Sequence, residues 1–237
     1  MYDEASRKQK ALRALAIFLD YKDPNTLTTQ TCLEVGSSTG IMTFFLADHF
    51  QKVIGIDIDR PALEFAKNKY SKANIDYFEM DALHTTFPDN HFDHVVCHHT
   101  YEHVADSQLL IDEIYRILKP GGLLYFGAPN RLMIKESHYQ IYFLSWLPKG
   151  LASWIVRICK KGDDYYETML TYWGIKRLFA KNWQLKDYTL KCILEPEKYY
   201  ATDVMEGKTW IKRIPTWLLK RLIPFSPDLV LLARKES

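Results

Sequence analysis

The 237-residue chain predicts an α/β fold, a mainly parallel sheet with helices on both faces. Two observations predict it. Between residues 31 and 130, short apolar runs rich in β-favouring residues alternate with helix-length segments. The first such run also feeds a helix through a glycine-bearing turn, Cys32-Leu33-Glu34-Val35-Gly36-Ser37-Ser38-Thr39-Gly40-Ile41. A strand-turn-helix of this kind leaves unpaired amides at a helix N-terminus, where a nucleotide-type ligand binds. Tight packing of strand on helix would produce the same pair of glycines.

The elements follow in order. Asp3 to Tyr21 reads as a helix with Leu12, Leu15, Ile17 and Phe18 on its apolar side, ended by Asp23-Pro24-Asn25. After the opening strand, a helix is expected from Thr39 to Phe50, a strand at Val53 to Asp57, and a helix from Pro61 to Tyr70. Ile75 to Met80 and Phe92 to Cys97 are further strands, separated by a polar loop at Thr85 to Asn90. Asp106 caps a helix running to Leu118, Lys119-Pro120-Gly121-Gly122 stops it, and Leu123 to Gly127 is the next strand. The rhythm then breaks. Residues 131–170 form an apolar, aromatic and basic insertion, Thr171 to Lys181 returns to helix, and Leu185 to Ile193 reads as strand. Residues 195–227 form a second insertion before a closing strand at Leu229 to Ala233.

Composition narrows the function classes. A net charge of +2 gives no global attraction to nucleic acid, and no such partner is expected. Cys32, Cys97, Cys159 and Cys192 show no CxxC spacing; three of them, Cys32, Cys97 and Cys192, sit in expected strands and read as reduced core residues, which points to a cytoplasmic protein. Met1 to Lys10 lacks the apolar core of a signal peptide, and no run approaches a membrane span.

In a doubly wound sheet, ligands bind beyond the carboxyl ends of the strands. Gly36, Asp57, Asp81 and the segment after Cys97 fall at such ends. Asp57 sits where an acid accepts from ribose hydroxyls; the competing role is capping the helix at Pro61, for which Asp59 also qualifies. Histidine is the natural base near neutral pH. His99 and His103 are four residues apart, but no H-E-x-x-H pattern or cysteine partner accompanies them, so no metal is expected.

Residues 32–130 resemble the cofactor half of a class I S-adenosylmethionine-dependent methyltransferase of the type 11 kind. Glu34 to Gly40 is similar to that family's E/D-x-G-x-G-x-G turn, with Ser38 in place of the middle glycine. Val53 to Asp59 resembles its acidic second strand, and Asp81-Ala82 its adenine-side pair. Phe92 to Val96 with Tyr101-Glu102-His103-Val104, and Leu118 to Leu123, match its later segments. The resemblance implies one methyltransferase domain over 1–237, divided into an N-terminal helical segment (1–30), a cofactor half (31–130) and two acceptor-side insertions (131–170 and 195–227). It implies a Rossmann-like seven-stranded sheet with an antiparallel last strand. It also implies S-adenosylmethionine as cofactor, leaving as S-adenosylhomocysteine. Glu34 and the turn Gly36, Ser37, Ser38, Gly40 would lie near the methionine moiety, Asp57 and Ile58 at ribose, Asp81 and Ala82 at adenine, and His98 on the sulfonium side.

Asn130-Arg131, His138-Tyr139 and Trp146-Leu147-Pro148 are similar to acceptor regions of methyltransferases from polysaccharide and cell-envelope gene sets. That resemblance implies O-methylation of a small-molecule or glycan hydroxyl, such as a sugar or lipid-linked saccharide, with Tyr139, Tyr101 and Arg131 contacting the acceptor. His138 lies where acceptor-binding elements are implied and is the first candidate base, with His99 the second. Two other functions compete. A short-chain NAD(P)-dependent dehydrogenase shares the glycine turn and finds Tyr-x-x-x-Lys spacings at Tyr115 and Tyr172, but lacks the threonine before Gly36. A non-catalytic cofactor-binding interaction protein would keep the same Gly36, Asp57 and Asp81. Residues 141–161 and 208–224 interleave aromatic and apolar side chains with lysine and arginine. They suit a lid, a dimer contact or a peripheral contact with the inner face of a membrane.

Overall fold

The computed structural model describes residues 3–136, 138–179, 182–205 and 209–236. The expected helix end at Lys181 and the basic residue Lys208 lie outside the described residues, as does the side chain of Lys212. Helix α1 (Glu4–Leu19) is capped by Asp3, whose side chain accepts from the Ser6 amide, and a short α2 (Pro24–Leu27) follows. The regular core then runs β1 (Thr31–Val35), α3 (Ile41–Leu46), β2 (Lys52–Asp57), α4 (Arg60–Lys69), β3 (Ile75–Glu79), β4 (Phe92–His98), α5 (Ser107–Ile117) and β5 (Leu118–Pro129). The first insertion contains α6 (Lys149–Ile158) and leads to α7 (Tyr172–Leu178), β6 (Trp183–Asp187) and α8 (Thr189–Leu194). The second contains α9 (Thr202–Met205) and α10 (Thr216–Leu222), and β7 (Asp228–Lys235) closes the chain.

The strands form one seven-stranded sheet in the order β3-β2-β1-β4-β5-β7-β6. The first five are parallel, while β7 runs antiparallel to both β5 and β6. The architecture is the expected α/β sheet with an antiparallel last strand. Alternation along the strands divides the core into two layers. Cys32, Val53, Leu123 and Tyr125 face α1 and α3, and Leu33, Ile54, Leu124 and Phe126 face α5 and α7. Because β1 and β4 adjoin and their connections leave to opposite sides, a crevice opens past their carboxyl ends. The site is built there.

Two sequence expectations change. Leu185 to Ile193 is not one strand: β6 ends at Asp187, whose Oδ1 accepts from the Thr189 amide at 2.9 Å and turns the chain into α8. Cys192 therefore enters the core from a helix. The three cysteines expected in the core are buried, while Cys159 caps α6 and is exposed. The helix after the first turn is also shorter than expected, Ile41–Leu46.

The N-terminal helix is part of the same body. Arg13 of α1 is buried; it donates to Tyr200 O at 3.0 Å and pairs with Asp203, joining α1 to the second insertion. Asp20, just past α1, accepts from Lys191, Lys198, Tyr188 and Tyr199. Those bonds, the one from Lys191 foremost, hold its carboxyl well below the usual carboxylate range despite some burial.

Candidate functional site

A cavity of about 400 Å³ opens at the carboxyl ends of β1, β2 and β4, within the range of small-molecule and cofactor sites. Its glycine turn is shaped by sterics. Gly36 has φ +75°, and a Cβ there would lie 2.5 Å from Thr100 Oγ1, so only glycine lets the turn approach the segment after β4. The Gly36 and Ser37 amides both donate to Ile56 O at 2.9 Å, which locks the turn onto β2. Ser38 also takes a positive φ, 48°. Its presence where the related pattern has glycine therefore places a side chain in the left-handed region, at a modest energetic cost.

Asp57 stands opposite that turn. Its Oδ2 accepts from the Ser38 amide at 2.7 Å and its Oδ1 from the Asp59 amide at 2.9 Å. Capping α4 falls to Asp59, which accepts from Ala62 N at 3.1 Å. That division leaves the remaining acceptor capacity of Asp57 for a ligand hydroxyl. Ile58, Met80, Ala82 and Leu83 supply apolar wall, with Asp81 at the edge accepting from Leu83 N at 2.9 Å. Acid beside a turn of close backbone, with an apolar slot beyond, fits a ribose and a flat base.

Of the expected cofactor residues, Gly36, Ser38, Asp57, Ile58, Asp81, Ala82 and His98 line the cavity. Glu34, Ser37 and Gly40 do not. Glu34 is buried and accepts from Thr43 of α3, and burial pushes its carboxyl up to about 7. The Ser37 side chain packs at Gly55, and Gly40 makes room for Tyr77 and Ala66, each within 2.6 Å of where its Cβ would be. These two shape the turn from behind. Sequence reasoning missed Arg7 and Thr100, which also line the cavity. Arg7 comes from α1, outside the β-α repeat, so no strand-end rule could have found it.

A second group of titratable side chains adjoins the cavity. Glu136 closes a tight loop: its amide donates to Ile141 O, and its carbonyl accepts from Gln140 N. The Glu136 side chain is fully buried and turned back into that loop, accepting from the amides of His138 at 2.7 Å and Tyr139 at 2.6 Å and pairing with His138 Nδ1 at 2.9 Å. Burial opposes the charge on Glu136, but these bonds prevail and hold its carboxyl below the usual range. In return the Glu136 carboxylate pushes the His138 imidazole up, against some burial. The His138 side chain is 32% exposed and meets His103 edge-on, with ring centroids 5.1 Å apart. His103 lines the cavity, and burial followed by the neighbouring His138 and His99 pushes it down, favouring the neutral ring.

Glu102 and Glu167 complete the group. Glu102 is 1% exposed, neither of its carboxylate oxygens has a hydrogen-bond partner among the described residues, and burial pushes it up to about 7. Ligand atoms of Glu102, His103 and His138 all lie within 4.8 Å of one another, a spacing a metal ion could bridge. The acid and histidine of Tyr101-Glu102-His103 were visible as a matching segment, but their approach to His138 crosses from the β4 loop to the insertion and has no local signal.

The other expected site residues separate. His99 lines the cavity with φ +55°, and its Nε2 donates to Asp228 Oδ1 at 2.8 Å. The Tyr139 hydroxyl donates to Asp164 O at 2.8 Å. Arg131 donates from Nε to Ser145 O and borders a smaller cavity with Tyr165 and Glu167. Tyr101 is not an acceptor contact. It is fully buried, and its hydroxyl donates to Pro129 O at 2.6 Å while accepting from Leu170 N at 3.1 Å, pinning β5 and the insertion together.

Residues 33–126 match the protein-family model described as a methyltransferase domain. The ubiquinone biosynthesis O-methyltransferase of Coxiella burnetii is similar over 131 residues at 34% identity, covering 53% of this chain and 56% of that protein. The chain thus spans about half the length of the curated relatives it matches. Among solved structures, an S-adenosylmethionine-dependent methyltransferase from Mesorhizobium loti superposes with a TM-score of 0.62 at 14% identity, covering 95% of this chain and 96% of the other. A geranyl diphosphate methyltransferase solved in complex with S-adenosylmethionine gives 0.56 at 16% identity, covering 95% and 85%. The solved structures share the fold, and residues 33–126, from β1 to β5, also match the family model. Residues 33–126 are a methyltransferase domain of the class I S-adenosylmethionine-dependent family, and S-adenosylmethionine is its cofactor.

Proposed function

We propose that this protein methylates a hydroxyl group on a sugar or lipid-linked saccharide, with His138 as the base that takes the hydroxyl proton. The observation that carries this reading is the Glu136–His138 pair set edge-on to His103 at the wall of the cofactor cavity. The bound cofactor supplies an already activated sulfonium methyl. What the chain must add is in-line positioning, exclusion of water and, for a hydroxyl acceptor, a proton acceptor. Asp57 and the Gly36 turn orient the ribose end. Glu136 fixes the His138 tautomer, because a carboxylate can only accept, and so Nδ1 carries the hydrogen and Nε2 is left as the basic atom. A neutral His103 lines the cavity without adding positive charge beside a sulfonium. The Coxiella relative's name, which specifies O-methylation, supports oxygen as the receiving atom.

The test is a mass-spectrometric screen of saccharide, lipid-linked saccharide and phenolic acceptors with isotopically labelled cofactor, comparing wild type with His138→Ala. The reading expects a saccharide product one CH2 heavier, and a variant that binds cofactor normally but turns over at least about a hundredfold more slowly. Equal turnover by the variant removes His138 from the mechanism. Methylation confined to phenolic or amine acceptors overturns the saccharide class.

A further inference from the structure

The first insertion leaves an apolar surface that the fold itself does not cover. α6 buries Ala152, Ser153 and Val156 against Leu144 and Tyr165, and the half-buried Ile155 packs beside them. Leu151, Trp154 and Ile158 face solvent and are 45%, 57% and 60% exposed. Positions 151, 154 and 158 follow the i, i+3, i+7 spacing, so they make one stripe along the helix. Phe143 and Trp146, also exposed, stand on the turn just before it with ring centroids 5.2 Å apart. A helix stabilised by its own core would place its large apolar residues inward; α6 keeps Ile155 and Val156 there but leaves Leu151, Trp154 and Ile158 outside.

The charge around this stripe has one sign. From His138 to Gly162 the chain contains no aspartate or glutamate and carries Lys149, Arg157, Lys160 and Lys161, all exposed. Acid returns only at Asp163 and Asp164, where Arg157 donates to Asp163 O at 2.8 Å. Residues 209–227 repeat the pattern: no acid, Trp217 and Leu222 exposed, and Lys220 and Arg221 beside them. Asn130 ties this second segment to the start of the first, donating from Nδ2 to Pro224 O and Ser226 O.

We propose that the outer side of α6, with Phe143 and Trp146, seats on an anionic lipid surface. The aromatic and aliphatic stripe enters the boundary between headgroups and acyl chains, where tryptophan is favoured. Lys149, Lys160 and Lys161 meet the lipid phosphates. No helix among the described residues is long and apolar enough to cross a membrane, so this contact lies on the surface. Charge complementarity favours lipid as the occupant: Lys149, Lys160 and Lys161 around an apolar stripe, with Asp163 and Asp164 drawn to Arg157, match a continuous negative surface. The inference is independent of which acceptor is methylated, because it rests on residues outside the cofactor cavity.

Vesicle co-sedimentation of the full chain tests it, using phosphatidylcholine alone and phosphatidylcholine with about a third phosphatidylglycerol. The expected result is binding to the anionic vesicles and little to the neutral ones. Trp154→Ser combined with Phe143→Ser should lower the bound fraction at least about fivefold, with cofactor affinity unchanged as evidence of folding. Lys160→Ser with Lys161→Ser should weaken binding most at low salt. Equal binding to both vesicle types, or binding insensitive to the aromatic pair, overturns the proposal. So does a Trp154-dependent dimer that ignores vesicles, which would make the stripe a contact between copies of this chain.

Discussion

The backbone amide of Ser38 donates to Asp57 Oδ2 at 2.7 Å, joining the turn after β1 to the acid that ends β2. One carboxylate thus braces the turn and lines the cavity where the cofactor is proposed to bind. Asp57→Ala removes both roles at once. With charge-assisted hydrogen bonds contributing about 1.5–3 kcal/mol each, cofactor affinity should fall on the order of ten- to a hundredfold. Isothermal titration with S-adenosylmethionine and with NAD(P) measures this, and NAD(P) binding in place of S-adenosylmethionine would restore the dehydrogenase alternative. Ser38→Gly should keep the amide contact and raise stability by about 0.5–1 kcal/mol as the positive φ is relieved. Ser38→Val should lower both stability and cofactor affinity.

Activity should depend on pH through His138. Glu136 pushes the imidazole up, and a base must be unprotonated to accept. Turnover should therefore rise with pH until that raised value is passed. Glu136→Gln removes the carboxylate that favours the imidazolium, so the acid limb of the pH–kcat profile should move to lower pH. The alkaline plateau should drop by about ten- to a hundredfold, because the ring loses its orientation. A limb that stays in place in Glu136→Gln would mean that a different group titrates. His99 lies on the cofactor cavity with its Nε2 held by Asp228, so His99→Ala should raise the cofactor KM more than it lowers kcat.

How much of this was legible depended on whether the determinants were local. The β-α alternation, the Gly36 turn, Asp57 and Asp81 are set by short-range pattern and strand-end position, and the structure puts all three residues on the cavity wall. Ser37 and Gly40 belong to the same turn, but a sequence pattern cannot say which of its members face the ligand and which face Gly55, Tyr77 and Ala66. Leu185 to Ile193 misled because an apolar alternating run fits both strand and helix. A single aspartate side chain turning back onto Thr189 settled it. The grouping of Glu102, His103, Glu136, His138 and Glu167 draws on the β4 loop and two parts of the insertion, and only tertiary packing brings them together.

Tyr101 illustrates the same limit in energetic form. Its motif suggested contact with an acceptor, whereas both hydrogen-bonding roles of its hydroxyl are used by Pro129 and Leu170. Tyr101→Phe leaves a buried carbonyl and amide without that partner and should destabilise the protein by roughly 2 kcal/mol. Denaturant unfolding reads that loss. Steady-state kinetics at a temperature where the variant is folded should show the acceptor KM unchanged, and a large KM increase there would return Tyr101 to the acceptor site.

Removing metal should not remove activity. Glu102, His103 and His138 approach closely enough to bridge an ion, but their chemistry favours protons. His138 Nδ1 is committed to Glu136, and burial pushes the Glu102 carboxyl up, so a cation there must compete with a proton. Transfer of a sulfonium methyl also needs no Lewis acid, so in the proposed mechanism in-line positioning and a base at His138 suffice. Exhaustive chelation should leave kcat within about twofold. Added Zn2+ should inhibit, because it would occupy His103 and the Nε2 of His138 that must accept the proton, and chelator should reverse the inhibition. The inhibition should weaken in His103→Ala, which removes one of those ligands. Loss of turnover on chelation, restored by a stoichiometric divalent ion, would instead make the cluster a metal centre and take the base role from His138.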